Sequence, residues 1–154
     1  MKIAFYIAKN GNWEDKLISY LTFSKYSHCE LVFSTGEFGS SSARDGGVRL
    51  KYITQNDKWD IFDLKNPDGT EISKELEDTI RYWFLLHKDL PYDWPGAVMS
   101  LFGVNWTSED KKFCSYVCAS LFGLDPIVTP QKLLKNLVAK KMIEPYQNLV
   151  LEIK

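Results

Sequence analysis

The sequence predicts an α+β domain, a mostly antiparallel sheet of about five to six strands packed against helices. Strand-like runs bounded by turn residues crowd the first half, helical spacing takes over from Thr70, and no repeat, low-complexity stretch or linker divides the chain. With 154 residues, 45% of them hydrophobic and 25% charged, the composition is that of one globular domain with a full core, spanning 1–154.

KIAFYIA at 2–8 is expected as the first strand, because its β-branched and aromatic residues end at the turn-like KNGN. A short helix follows over 13–23, where Trp13, Leu17 and Leu21 recur every fourth residue behind Asn12, a good N-cap. HCELVF at 28–33 reads as a strand, STGE at 34–37 as a turn, and GVRLKYI (47–53) and WDIFDL (59–64) as further strands. NPDG at 66–69 is a turn signal. From Thr70 to His87 the positions Ile72, Leu76, Ile80, Trp83 and Phe84 keep helical spacing. LPYDWPG (90–96) breaks that helix, and AVMSLFG (97–103) makes a short apolar helical segment. Thr107 to Asp110 looks like a helix start of its own, and a helix running from there through Leu121 would place Cys114 about two turns inside. A break between Lys111 and Cys114, with a new helix starting there, is the expectation. Thr129 as N-cap and Pro130 at the first helical position open the last helix, and LVLEIK at 149–154 reads as an edge-like strand.

Nineteen basic against twenty acidic residues leave a net charge of -1, which offers no electrostatic footprint for nucleic acid or anionic membrane. No apolar run approaches the roughly 18 residues of a membrane span, and Lys9 and Asn10 end the first apolar run before a signal-peptide core forms. A cytoplasmic location without a membrane anchor is the expectation. The three cysteines are an odd number without disulfide-rich spacing, so free thiols are expected.

The sequence contains two histidines, His28 and His87. On a strand, alternate residues share a face, so His28, Glu30 and Val32 go one way while Cys29, Leu31 and Phe33 go the other. Cys29 is therefore expected as a buried packing residue that points away from His28. Glu30 is placed either to accept a hydrogen bond from one ring nitrogen of His28, holding the other for a thiol, or to form a solvated edge-strand pair with it. His87, four residues after Trp83, reads as a satisfied helix-end histidine. Cys114 and Cys118 are one helical turn apart, a spacing unlike the usual metal knuckle, so no metal and no cofactor are implied. A thiol becomes nucleophilic when its pKa falls from about 8.5, as at a helix start beside an imidazole. Cys114 fits that place, with the small Ser115 leaving it open, and Cys118 fits the packed turn behind.

The order of these segments resembles a known family: Ser-His-x-Glu in YSHCELVF, then GVRLKY and WDIFDL, then PYDW, then FCS opening a helix. It is similar to the circularly permuted papain-like cysteine hydrolases, the YiiX-like and lecithin retinol acyltransferase-like branch of the NlpC-type superfamily. The resemblance runs from the first strand to about Leu124, and its most specific parts are YSH at 26–28, PYD at 91–93 and FCS at 113–115. It implies a permuted papain-like fold with His28 as base, Cys114 as nucleophile at a helix N-terminus, and Glu30 at the place of the third, orienting residue. Tyr92 and Trp94 would either line the substrate groove or pack in the core, and Ser115 would border the substrate. The implied chemistry is attack of the Cys114 thiolate on an amide or ester carbonyl, with the Cys114 backbone N–H as oxyanion donor, protonation of the leaving group by His28 and release of the acyl group by water.

A cysteine amidase or peptidase acting on a small peptide-like substrate is the leading expectation. An acyltransferase or lipid hydrolase of the same fold, and a non-catalytic binding or host-interaction module retaining it, are the alternatives.

Overall fold

Strands β1 (Lys2–Ile7), β2 (Tyr26–Val32), β3 (Glu37–Ser42), β4 (Gly47–Tyr52) and β5 (Trp59–Asp63) form one antiparallel sheet in the order β4-β3-β2-β1-β5. The structure is a computed structural model that describes residues 1–106 and 108–144. Its helices, among the described residues, are α1 (Trp13–Thr22), α2 (Lys74–Leu86), α3 (Trp94–Ser100), α4 (Cys114–Ser120) and α5 (Pro130–Ala139). The architecture is α+β, as the segregation of strands before helices predicts.

β2 occupies the centre of the sheet, paired along both edges, and its residues contribute to packing on both faces. One face carries Phe5, Tyr26, Cys29, Leu31, Val48 and Phe62 against Phe84 of α2, Val117 of α4 and Leu133 and Leu137 of α5. Ala4, Val32 and Phe38 line the other face in a smaller cluster with Trp59 and Ile61.

Tyr6 pairs with His28 and Ile7 with Tyr26, so Ser27 is an extra residue on β2. This bulge puts Tyr26 in phase with Cys29 in the core and leaves Ser27 and His28 together on the open side. β2 thus begins two residues earlier than the alternation of HCELVF suggests.

β3 is the element that the sequence reading lacks. EFGSSS has little apolar alternation and, apart from Glu37 in the expected turn, is given no element by its pattern, yet it is the bridge between β2 and β4. Its buried hydroxyls are satisfied by backbone: Ser40 donates to the Cys29 carbonyl at 2.8 Å and Ser41 to the Lys112 carbonyl at 2.6 Å.

Most helix starts follow their caps. Asn12 and Asp15 form a reciprocal capping box on α1, Ser73 caps α2, and Thr129 caps α5. α2 starts at Lys74 rather than Thr70 because Asn66 to Thr70 close a hydrogen-bonded turn. α3 starts at Trp94, earlier than the expected 97, because Asp93 accepts from the Gly96 N–H at 2.9 Å and Pro95 suits a first turn. A Cβ on Gly96 would lie 2.2 Å from Asp93 Oδ2, so this cap needs a glycine there. The break before Cys114 is present, with α4 opening at that residue. The edge-like strand expected at 149–154 lies outside the described residues.

Candidate active site

Cys114 is the first residue of α4, which packs across β2 and β3, and it lies 4% exposed on the wall of a small cavity of about 70 Å³. The bulge at Ser27 sets His28 on the wall of a neighbouring, larger cleft of about 320 Å³. Ile18, Ser27, Tyr92 and Trp94 line both spaces and make their common border.

The site is held by a chain of ionic contacts on the polar side of the sheet. His28 Nε2 lies 3.0 Å from Glu30 Oε1. Arg49 grips Glu30 with two nitrogens, Nη1 to Oε2 at 2.7 Å and Nη2 to Oε1 at 2.5 Å, and its Nε donates to Asp45 Oδ2 at 2.8 Å. Lys51 closes the chain on Asp45 Oδ1 at 2.6 Å. The Glu30 side chain is 2% exposed, so it is no solvated edge-strand carboxylate. Burial alone would raise its pKa, but hydrogen bonds and charge from His28 and Arg49 outweigh that and hold it low.

Cys114 titrates well below the ordinary thiol range. The largest cause is a hydrogen bond from the Cys29 thiol, and the charge and hydrogen bond of His28 act in the same direction against the cost of burial. His28 is pushed up to about 10: burial lowers it, while the charge and hydrogen bonding of Cys114, followed by those of Glu30, more than reverse the effect. The Cys29 thiol itself is raised well above its usual value by burial and by its sulfur neighbours, so it stays protonated and donates. Both shifts run toward a thiolate and imidazolium pair, with the Cys29 thiol on one side of the sulfur and the Glu30 carboxylate behind the imidazole.

The structure thus brings together His28, Glu30 and Cys114. Tyr92 and Trp94 stand edge to face with ring centroids 5.1 Å apart, at the border of the two cavities. Burial and the Cys114 charge keep the Tyr92 hydroxyl protonated by raising its pKa. Ser115 lines the small cavity, but its hydroxyl is committed to the Val128 carbonyl at 2.5 Å and ties α4 to the segment before α5. His87 stays apart from the site, stacked on Trp83 at 4.2 Å with Nδ1 2.8 Å from the Trp83 carbonyl. Cys118 is buried in the core, 3.9 Å from the Cys29 carbonyl oxygen.

Sequence reasoning missed three participants. Cys29 is a core residue, as expected, but it also contacts the Cys114 sulfur, because α4 begins against the face that Cys29 occupies. Arg49 and Asp45 come from β4 and the turn before it, and their approach to Glu30 depends on β3. Among the described residues, no cluster of histidine, cysteine and carboxylate groups is placed to hold a metal ion, and no helix is long and apolar enough to cross a membrane. Comparison with protein-family models, curated proteins and solved structures finds no match.

Proposed function

We propose that the chain is a cysteine hydrolase of the circularly permuted papain-like type that cleaves an amide bond in a peptide-like substrate. The observation that carries this reading is the low-lying Cys114 thiol beside a raised His28 at the border of two cavities. An incidental buried cysteine would be inert and protonated.

In the proposed cycle the Cys114 thiolate attacks the carbonyl carbon, and the first-turn N–H groups of α4, which have no acceptor within the helix, receive the developing oxyanion. With His28 Nε2 committed to Glu30, Nδ1 is the nitrogen that faces the reaction and protonates the departing amine as the C–N bond breaks. Neutral His28 then takes a proton from water, whose hydroxide opens the thioester and returns the thiolate and imidazolium. Glu30, fixed by Arg49, orients the ring and stabilises its charge without taking the proton.

Incubation with a library of activated acyl esters, followed by peptide mapping, tests the reading. The acyl mass is expected on Cys114, in wild type and not in Cys114→Ala, with Cys29 and Cys118 unmodified. Acylation spread over the three thiols, or none at Cys114, contradicts it.

A further inference from the structure

Three thiols meet in the core behind the candidate site, and all three are free. Cys29 projects from the middle of β2, while Cys114 and Cys118 lie one turn apart on α4, which packs over that strand. The Cys29 sulfur is in hydrogen-bond contact with both of the others. Cys118 also reaches the Cys29 carbonyl oxygen at 3.9 Å. Both backbones are pinned: Ser40 donates to the Cys29 carbonyl at 2.8 Å, and Ser115 ties the start of α4 to the Val128 carbonyl at 2.5 Å. Hydrolysis uses Cys114 alone as its covalent group, which leaves Cys29 as a second sulfur held against the one that reacts.

Access separates the three. Cys114 lines the cavity of about 70 Å³, whereas Cys29 and Cys118 are 0% and 1% exposed and line neither that cavity nor the cleft beside His28. Hydrogen peroxide is little larger than water, whose share of the liquid is about 30 Å³, so it fits this space. Peroxide oxidises a thiolate rather than a thiol, and the sulfenic acid that results condenses with a neighbouring thiol.

We propose that Cys29 is the resolving thiol of an oxidation switch, in which a hydroperoxide acting at Cys114 yields a buried disulfide between Cys29 and Cys114 that withholds the nucleophile until a dithiol reduces it. The switch rests on the reactive Cys114 of the hydrolase reading and adds the regulation of that thiol. The Cys114 thiolate attacks one peroxide oxygen, the O–O bond breaks, and the departing hydroxide takes a proton from His28 to become water. Cys29 then attacks the Cys114 sulfur as its S–O bond breaks, and the released hydroxide takes the Cys29 proton as a second water. The two sulfurs together give up two electrons, which reduce the peroxide. Oxidation also removes the Cys114 charge, one of the causes that keep Cys29 protonated, and so favours the second step. Further oxidation to sulfinic acid needs another peroxide from solution, whereas Cys29 is already in contact.

The test treats reduced protein with hydrogen peroxide, blocks remaining thiols with N-ethylmaleimide in urea and maps the peptides. The expected product has lost two hydrogens, joins Cys29 to Cys114 and carries the label on Cys118. Acylation by p-nitrophenyl hexanoate should fall in step with that bond and return with dithiothreitol. Cys118→Ala should form the same bond, and Cys29→Ser should instead hold Cys114 as a sulfenic acid that dimedone traps and that passes to sulfinic acid. The wild-type map decides the matter by itself if Cys29→Ser does not fold. Sulfinic acid on Cys114 with Cys29 free, a bond to Cys118, or Cys114 left unoxidised overturns the inference, and acylation of the reduced protein at Cys114 then leaves the hydrolase reading standing. The expected bond in a protein whose reduced form the ester does not acylate removes the hydrolase reading and the switch with it, since no activity is there to withhold.

Discussion

A thiol as buried as Cys114 would be protonated if burial acted alone, since a low dielectric disfavours the anion. Two neighbours reverse that, Cys29 by donating a hydrogen bond and His28 by its charge. The pH dependence of kcat/KM follows from the two directions. Activity should appear as the thiolate forms, below the ordinary thiol range, and decline as His28 loses its proton near about 10. A stopped assay across this range checks it, and an acid limb at the usual thiol value contradicts it. Arg49→Met leaves Glu30 buried with only His28 to balance it, and a loss on the order of 3 kcal/mol in urea unfolding is expected. The sign of its pH dependence is also fixed. Glu30 is depressed in the folded protein, so its contribution is present above the ordinary carboxylate value and fades as pH falls through the folded value. Without Arg49 the folded value rises, and acid unfolding should begin at a higher pH.

The elements show what was legible in the sequence and what was not. Strand alternation, a local pattern with a period, puts His28 beside Glu30, whereas the start of α4 at Cys114 runs against the local cap-like signal at Thr107 to Asp110 and has no periodic signature of its own. Arg49 was beyond that reasoning. It reaches Glu30 across β3, donating on the way to the Phe38 carbonyl at 3.2 Å, and β3 is a serine-rich strand formed by pairing rather than by propensity. Strand parity puts Cys29 on the core face, where it lies, but says nothing about which helix begins against that face. The border residue Tyr92 depends on a tight contact between elements. Gly47 pairs with Pro91 and sits at φ 157°, where a Cβ would lie 1.9 Å from the Leu90 carbonyl oxygen. The Tyr92 N–H in turn donates to the Gly46 carbonyl at 2.9 Å. Gly47→Ala should therefore cost about 2–3 kcal/mol of stability and also lower kcat/KM by displacing Tyr92. A variant with wild-type melting and activity would show that this approach is not needed.

On the scale of the molecule, a single core joins the sheet to α2, α4 and α5, so the site and the fold share their packing. Phe84, fully buried, meets Phe33 edge to face at 5.9 Å, and Phe84→Ala should lower stability by about 3–5 kcal/mol. Cys29 and Cys118 lie in the same core, and labelling of both along a urea titration should follow the midpoint of the circular dichroism signal. Labelling of either at lower urea would show that α4 opens alone. α1 behaves differently, because Trp13, Leu17 and Leu21, the stripe that announces the helix, are 71%, 46% and 55% exposed. Helical period located that element correctly, while the side it buries is set by Asp15, whose carboxylate receives Asn12, Ser27 and Arg44.

The central claim is a difference between thiols that share one core, and alkylation kinetics measure it directly. Iodoacetamide labelling of the folded protein, resolved by peptide mapping from pH 5 to 10, should find Cys114 reacting well below pH 8.5 while Cys29 and Cys118 stay silent. His28→Ala, which removes the positive partner, should move the Cys114 profile upward. Equal and slow labelling of all three cysteines, or a Cys114 profile unchanged in His28→Ala, would contradict the account.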